Sequence, residues 1–232
     1  MSTTKQFINY AHRGASEYAP ENTFLSFYLG IYMGANGIET DVQITKDGVP
    51  VLFHDDTLKR VTGEEGAIPD YTLSELKEFW VKNNGLKDKI VTLEDFLIHF
   101  KDRDITFAIE LKGDNTAKVT ADLLRKYNLK DKTVVTSFKY KELLDLKSYA
   151  PEFTAGYLAE GLDETVLIKM KQDGIEEFCP EAKFITKELC QKWQDLGFNV
   201  RAWGVFNQEL MKTAYNAGVN GMTVNFPDKL TA

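Results

Sequence analysis

The chain has 232 residues, 43% of them hydrophobic and 27% charged, with a formal net charge of −7. That length suits one large domain, and the acidic balance argues against a nucleic-acid binder, which needs a basic surface to release phosphate counterions. No apolar run approaches the roughly 18 residues that cross a bilayer, and Cys179 and Cys190 read as reduced thiols without a secretory context.

In chain order, residues 1–6 carry no apolar signal core, so a cytoplasmic protein is expected. Residues 7–12 read as a first strand and 23–33 as an amphipathic helix, with Gly34 placed as its left-handed cap. Residues 37–44 form the next strand. The turn Ile44-Thr-Lys-Asp-Gly48 then folds 49–54 back on it as a hairpin. Residues 56–104 break the rhythm and read as a small inserted subdomain over one end of the fold, with a short helix from Ser74 and another from Leu93. Strands follow at 105–112, 133–138, 154–158, 176–179, 199–206 and 221–225, and helices at 115–127, 140–148, 164–172, 186–196 and 208–217. Alternation of this kind implies a parallel sheet covered by helices. With the hairpin strand set aside, eight strands remain, the number a closed (β/α)8 TIM barrel needs. An open doubly wound sheet is the alternative.

Chemistry-bearing residues fall at the strand ends, where barrel enzymes place their sites. His12-Arg13-Gly14 offers a proton carrier, a planar cation suited to phosphate and close backbone approach, although the tripeptide alone reads more readily as a turn with a solvent-facing Arg. Glu39 and Asp41, two apart on one strand, share a face. Buried together they would repel unless a cation lies between them, and oxygen ligands favour Mg²⁺, Ca²⁺ or Mn²⁺. His54-Asp55 ends the hairpin; Asp55 could orient the imidazole, although strand neighbours point to opposite faces. Glu110 and Lys112 again share a face, the acid completing a three-carboxylate set and the lysine available to a phosphate. His99, in Phe96-Leu-Ile-His-Phe100, reads as structural.

These residues, with Pro20-Glu21-Asn22-Thr23, Thr45-Lys-Asp47-Gly48, Leu58-Lys-Arg60-Val61-Thr-Gly63, Thr92-Leu-Glu-Asp95, Ser137-Phe138 and Trp203 with Asn207, resemble the glycerophosphodiester phosphodiesterase family of cytoplasmic bacterial type over nearly the whole chain. The resemblance implies a TIM barrel with a small insertion after the second barrel strand. It implies one divalent cation at Glu39, Asp41 and Glu110, His12 and His54 as acid and base, and Arg13 and Lys112 as phosphate contacts. Glu21, Asn22, Asp55 and Trp203 are expected as supporting residues. The implied reaction is hydrolysis of a small glycerophosphodiester to sn-glycerol 3-phosphate and an alcohol. The nucleophile is water or the glycerol C2 hydroxyl, and which histidine is acid and which base is left open. One departure is Asn225, where the family usually has Asp, a position to which the resemblance attaches no primary catalytic role. Rival readings are a related phospholipase-type phosphodiesterase and a non-catalytic phosphate-binding barrel. The headgroup, the metal and the oligomeric state are not encoded legibly.

Overall fold

The computed structural model describes residues 7–230; the reading of residues 1–6 as lacking a signal core lies outside them. The chain runs β1 (Ile8–His12), α1 (Phe24–Tyr32), β2 (Gly37–Ile44), β3 (Pro50–Leu52), α2 (Lys59–Thr62), α3 (Leu73–Leu76), β4 (Val81–Asn83), β5 (Leu86–Asp88), α4 (Leu93–Phe100) and β6 (Thr106–Leu111). It continues through α5 (Thr116–Lys126), β7 (Thr133–Ser137), α6 (Tyr140–Tyr149), β8 (Thr154–Ala159), α7 (Glu164–Gln172), β9 (Glu177–Pro180), α8 (Lys187–Asp195), β10 (Asn199–Val205), α9 (Gln208–Ala217) and β11 (Gly221–Val224).

Eight parallel strands close into a barrel in the order β1, β2, β6, β7, β8, β9, β10, β11, with β1 pairing back to β11. Barrel closure therefore prevails over the open sheet. β3 lies antiparallel on β2 as the expected hairpin. Alternation along each strand divides the side chains between two cores. Ile38 and Val42 of β2 and Phe107, Ile109 and Leu111 of β6 face the helices in one continuous apolar layer. Tyr10, Ala108 and Val134 fill the barrel interior. Higher inside, the Arg201 guanidinium is buried, donating to Glu177 Oε1 at 2.8 Å and to Thr223 Oγ1 at 2.7 Å.

The stretch 56–104 divides between cores. Leu58, Val61, Ile68, Leu76, Val81 and Ile90 cluster with Val51 and Phe53 of the hairpin arm. By contrast, α4 buries Leu93, Phe96, Leu97 and Phe100 in the main layer and takes the place of a barrel helix. The antiparallel pair β4–β5 lies inside this stretch and was not legible in the sequence. Among the described residues no helix is long and apolar enough to cross a membrane.

The first barrel loop is packed tightly. Gly14 has φ +81°, and a Cβ built there would lie 2.4 Å from the backbone carbon of Ser26. That approach lets Ser26 Oγ donate to the Arg13 carbonyl at 2.8 Å while Thr23 caps α1. We expect Gly14→Ala to cost on the order of 2–4 kcal/mol in denaturant unfolding, because both the left-handed backbone and the overlap oppose it. Wild-type stability would contradict this packing account.

Candidate active site

Strand register assembles the site at the carboxyl end of the barrel. His12 pairs with Glu39 across β1 and β2, and Asp41 pairs with Glu110 across β2 and β6. Oxygens of Glu39, Asp41 and Glu110 thus lie within 4.8 Å of one another, and all three residues are buried. Arg13, at φ 55°, is a non-glycine residue held in the left-handed region, a form of local strain that clusters at functional sites. Its Nε lies 3.2 Å from Asp41 Oδ2 and its Nη1 donates to Glu21 Oε1 at 3.0 Å. Asn22 Nδ2 donates to Asp41 Oδ2 at 2.9 Å. Lys112 Nζ lies 3.2 Å from Glu110 Oε1 and donates to His54 Nε2 at 3.1 Å.

The electrostatics follow from crowding. Burial and then the charges of Asp41 and Glu110 push Glu39 well above the ordinary carboxylate range. Burial and Asp41 raise Glu110 to about 7. Burial alone would raise Asp41 too, but the Arg13 guanidinium, the Asn22 hydrogen bond and the nearby charges of His54 and Lys112 together outweigh it and hold Asp41 below its usual value. One oxygen, Asp41 Oδ1, is buried without a hydrogen-bond partner among the described residues. An orphaned carboxylate oxygen within a set of three buried carboxylates fits a hard divalent cation, whose charge would relieve both the repulsion and the missing contact.

The two imidazoles have unlike partners. His12 Nδ1 donates to Asn225 Oδ1 at 2.5 Å, leaving Nε2 facing Glu39 Oε2 at 3.9 Å. Burial and the Arg13 charge hold His12 down at about 3, so its ring is neutral near pH 7. His54 Nδ1 donates instead to a carboxylate, Asp55 Oδ1, at 2.8 Å. The expectation that strand neighbours diverge does not apply there, because β3 ends at Leu52 and residues 53–55 are no longer pleated. A cavity of about 150 Å³ opens between the two imidazoles, and its apolar wall includes Phe138, Leu158, Trp203 and Phe206. Trp203 Nε1 donates to the Ala159 carbonyl at 3.1 Å, and its ring meets Phe138 edge-on.

All the expected site residues converge here: His12, Arg13, Glu21, Asn22, Glu39, Asp41, His54, Asp55, Glu110, Lys112 and Trp203. His99 does not; its Nδ1 meets the Asp95 carbonyl and its ring packs on Phe24. Sequence reasoning missed Asn225 as the partner of His12 and Arg60 as the partner of Glu21 and Asp55. The signals were present, a polar residue closing the last strand and an arginine in the Leu58–Gly63 string, but neither names its partner.

Residues 12–229 match the Glycerophosphoryl diester phosphodiesterase family. The chain is 32% identical over 235 residues to a glycerophosphodiester phosphodiesterase of Caldanaerobacter subterraneus subsp. tengcongensis, covering 95% of this chain and 94% of that protein. Among solved structures, an Oleispira antarctica phosphodiesterase in complex with the product sn-glycerol-3-phosphate aligns with a TM-score of 0.89 at 26% identity, covering 96% of this chain and 94% of that one. A glycerophosphodiester phosphodiesterase from Thermotoga maritima aligns with a TM-score of 0.80 at 26% identity, covering 96% of each chain. The chain belongs to the glycerophosphoryl diester phosphodiesterase family.

The raised carboxylates make a pH-linked prediction. Folded Glu110 holds its proton up to about 7, and burial with the neighbouring carboxylates raises Glu39 too, whereas an unfolded glutamate releases its proton at ~4.3. At these two carboxylates the folded state therefore binds more protons across that window, and their contribution to stability falls as pH rises through it. His12, held at about 3, works in the opposite direction below about pH 6.5, so with chelator present the melting temperature should drop between about pH 6.5 and 8. Added Mg²⁺, Ca²⁺ or Mn²⁺ should restore it, most strongly at pH 8. A melting temperature indifferent to divalent cations at pH 8 would count against the cluster as a cation site.

Proposed function

We propose that this member of the family hydrolyses glycerophosphodiesters to sn-glycerol 3-phosphate and an alcohol, with a divalent cation held by Glu39, Asp41 and Glu110 and with His12 and His54 transferring the protons. The observation that carries the reading is the pair of imidazoles with unlike Nδ1 partners at one cavity, lined also by Arg13 and two of the three carboxylates. The product in the Oleispira antarctica relative supports the substrate class.

When bound, the cation supplies positive charge toward the phosphoryl oxygens as negative charge develops on them. The Arg13 guanidinium and the Lys112 ammonium add fixed donors on the same side. Arg13 is preorganised for this, because Glu21 and Asp41 hold its fork before any phosphate arrives. Lys112 is parked on His54 Nε2 and Glu110; a phosphate that draws the ammonium away leaves Nε2 open to take a proton from solvent before the chemical step.

The unlike Nδ1 partners support one direction for the proton transfers. His12 is neutral and its Nδ1–H is committed to a carboxamide, so Nε2 has a lone pair for the nucleophile's proton. His54 has a carboxylate on Nδ1, which offsets the charge of a doubly protonated ring. As the nucleophile's oxygen bonds to phosphorus, its proton passes to His12 Nε2. As the bond to the leaving oxygen breaks, that oxygen keeps the electron pair and takes the proton from His54 Nε2. A proton donor matters because an alkoxide is a strongly basic leaving group; a positioned group of this kind contributes about 10²–10⁴-fold. Two hydroxyls satisfy the scheme, water or the glycerol C2 hydroxyl. In the second case a cyclic phosphodiester forms, and water opens it with the two histidines exchanging roles.

A small-molecule substrate suits the narrow cavity, and the acidic net charge of −7 supports the exclusion of nucleic acid from this reading. The cytoplasmic setting belongs to the same proposal; its support is that Cys179 and Cys190 are both free and buried.

His12→Ala and His54→Ala should each lower turnover of glycerophosphocholine by about 10²–10⁴-fold while cation binding, followed by calorimetry, persists. Wild-type turnover in either variant would overturn the pairing. For the nucleophile, the measurement is hydrolysis of a diester deoxygenated at C2. Undiminished cleavage assigns water, and loss of cleavage assigns the substrate hydroxyl.

A further inference from the structure

Arg60 lies outside the cavity, on α2 of the inserted stretch, yet its guanidinium is the hub of the polar contacts behind it. Nε donates to Asp55 Oδ2 at 2.5 Å and Nη2 to Asp55 Oδ1 at 2.8 Å. On its other edge, Nη1 donates to Glu21 Oε2 at 2.9 Å and Nη2 to Glu21 Oε1 at 2.7 Å. Glu21 and Asp55 come from two different barrel loops, and oxygens of both lie within 4.8 Å of each other and of a His54 nitrogen. Two carboxylates that close repel, so without the guanidinium between them the Asp55 side chain is left with the His54 contact alone to hold it against Glu21.

We propose that Arg60 is a positioning residue for the reaction, fixing the orientation of the His54 imidazole by clamping Asp55, with Glu21 anchoring the far edge of the guanidinium. This role rests on the assignment of His54 as proton donor above. The chain of contacts is continuous: Arg60 holds both oxygens of Asp55, and Asp55 Oδ1 accepts from His54 Nδ1 at 2.8 Å. The Arg60 backbone is itself tied down. Leu58 and Val61 on either side are buried in the insertion's own core, and Thr62 Oγ1 donates to the Leu58 carbonyl at 2.7 Å.

An exposed ion pair contributes little to stability, and half of the Arg60 side chain is open to solvent, so a fold-stabilising role is not what these contacts best explain. What a bidentate fork supplies is direction. The Asp55 side chain is only 21% exposed and the Glu21 side chain 14%, so the fork is aimed at sheltered carboxylates. Desolvation alone would raise Asp55, but the hydrogen bonds from Arg60 and His54 outweigh it and hold it at about 2, an anion throughout the neutral range. The inserted stretch thereby acquires a part in the chemistry, since its apolar core places one guanidinium.

The test exploits the fact that proton donation matters for an alkoxide leaving group and hardly for p-nitrophenolate. Arg60→Met should lower kcat on glycerophosphocholine by about 10–100-fold with KM moved less than about 3-fold. On the p-nitrophenyl ester of glycerol phosphate the loss should be less than about 3-fold. Arg60→Lys, which keeps the charge and loses the fork, should fall between wild type and Arg60→Met. Arg60→Met combined with Asp55→Asn should be no slower than Asp55→Asn alone, since both act through one contact. Equal losses on the two esters, or multiplying losses in the double variant, would overturn the proposal. His54→Ala is the control for the reading beneath it. If it loses the same factor on both esters, the proton-donor assignment fails; the double variant alone then decides, non-additivity supporting the clamp and additivity overturning it. Melting curves of each variant identify misfolding, in which case Arg60→Lys carries the comparison.

Discussion

Three buried carboxylates at one mouth of a barrel set the terms for everything around them. Each is costly to desolvate, and together they repel. Arg13 answers Asp41, and Lys112 answers Glu110. Two cations do not balance the set, since Arg13 also serves Glu21 and Lys112 also serves His54. The surplus appears as protons retained on Glu39 and Glu110 and as an oxygen of Asp41 with no hydrogen-bond partner among the described residues. A site that is unfavourable when left to itself is one that a cation and an anionic phosphate together would complete.

The histidines acquire their difference from the same constraint. His12 sits against the positive flank of Arg13 and takes a neutral carboxamide as its Nδ1 partner, so a charged ring is disfavoured. His54 sits on the hairpin arm, beyond the pleated strand, where Asp55 can turn back to it. One fold thus presents two imidazoles of unlike character at one cavity. Asn225 closes the last barrel strand's end of the site and orients His12 through its carboxamide oxygen.

The insertion shows how support for a site is distributed. Residues 58–90 bury a small apolar cluster separate from the main layer, while α4, expected to belong with them, is claimed by the barrel through Phe96 and Phe100. The division follows from apolar spacing: α4 has a strong hydrophobic face for the sheet, whereas the turns before it have only enough to pack on the hairpin arm. The β4–β5 pair escaped detection because its strands, Val81–Asn83 and Leu86–Asp88, are short and mostly polar, with no alternation to read.

From the sequence alone came the alternation of strand and helix, the hairpin at Asp47-Gly48, the eight barrel strands and the placing of His12, Glu110 and Lys112 at strand ends, while Glu39 and Asp41 lie within β2 and His54 just beyond β3. These are local properties: a period of two puts Glu39 and Asp41 on one face, and Glu110 and Lys112 on another, whatever the rest of the chain does. Tertiary structure decided the pairings. Asn225 meets His12 across 213 residues of sequence, Arg60 reaches Glu21 across 39, and Asp41 stands beside Glu110 only because β2 and β6 pair in that register. Barrel closure and strand register determine which strand ends become neighbours, and periodicity within a segment carries no record of either.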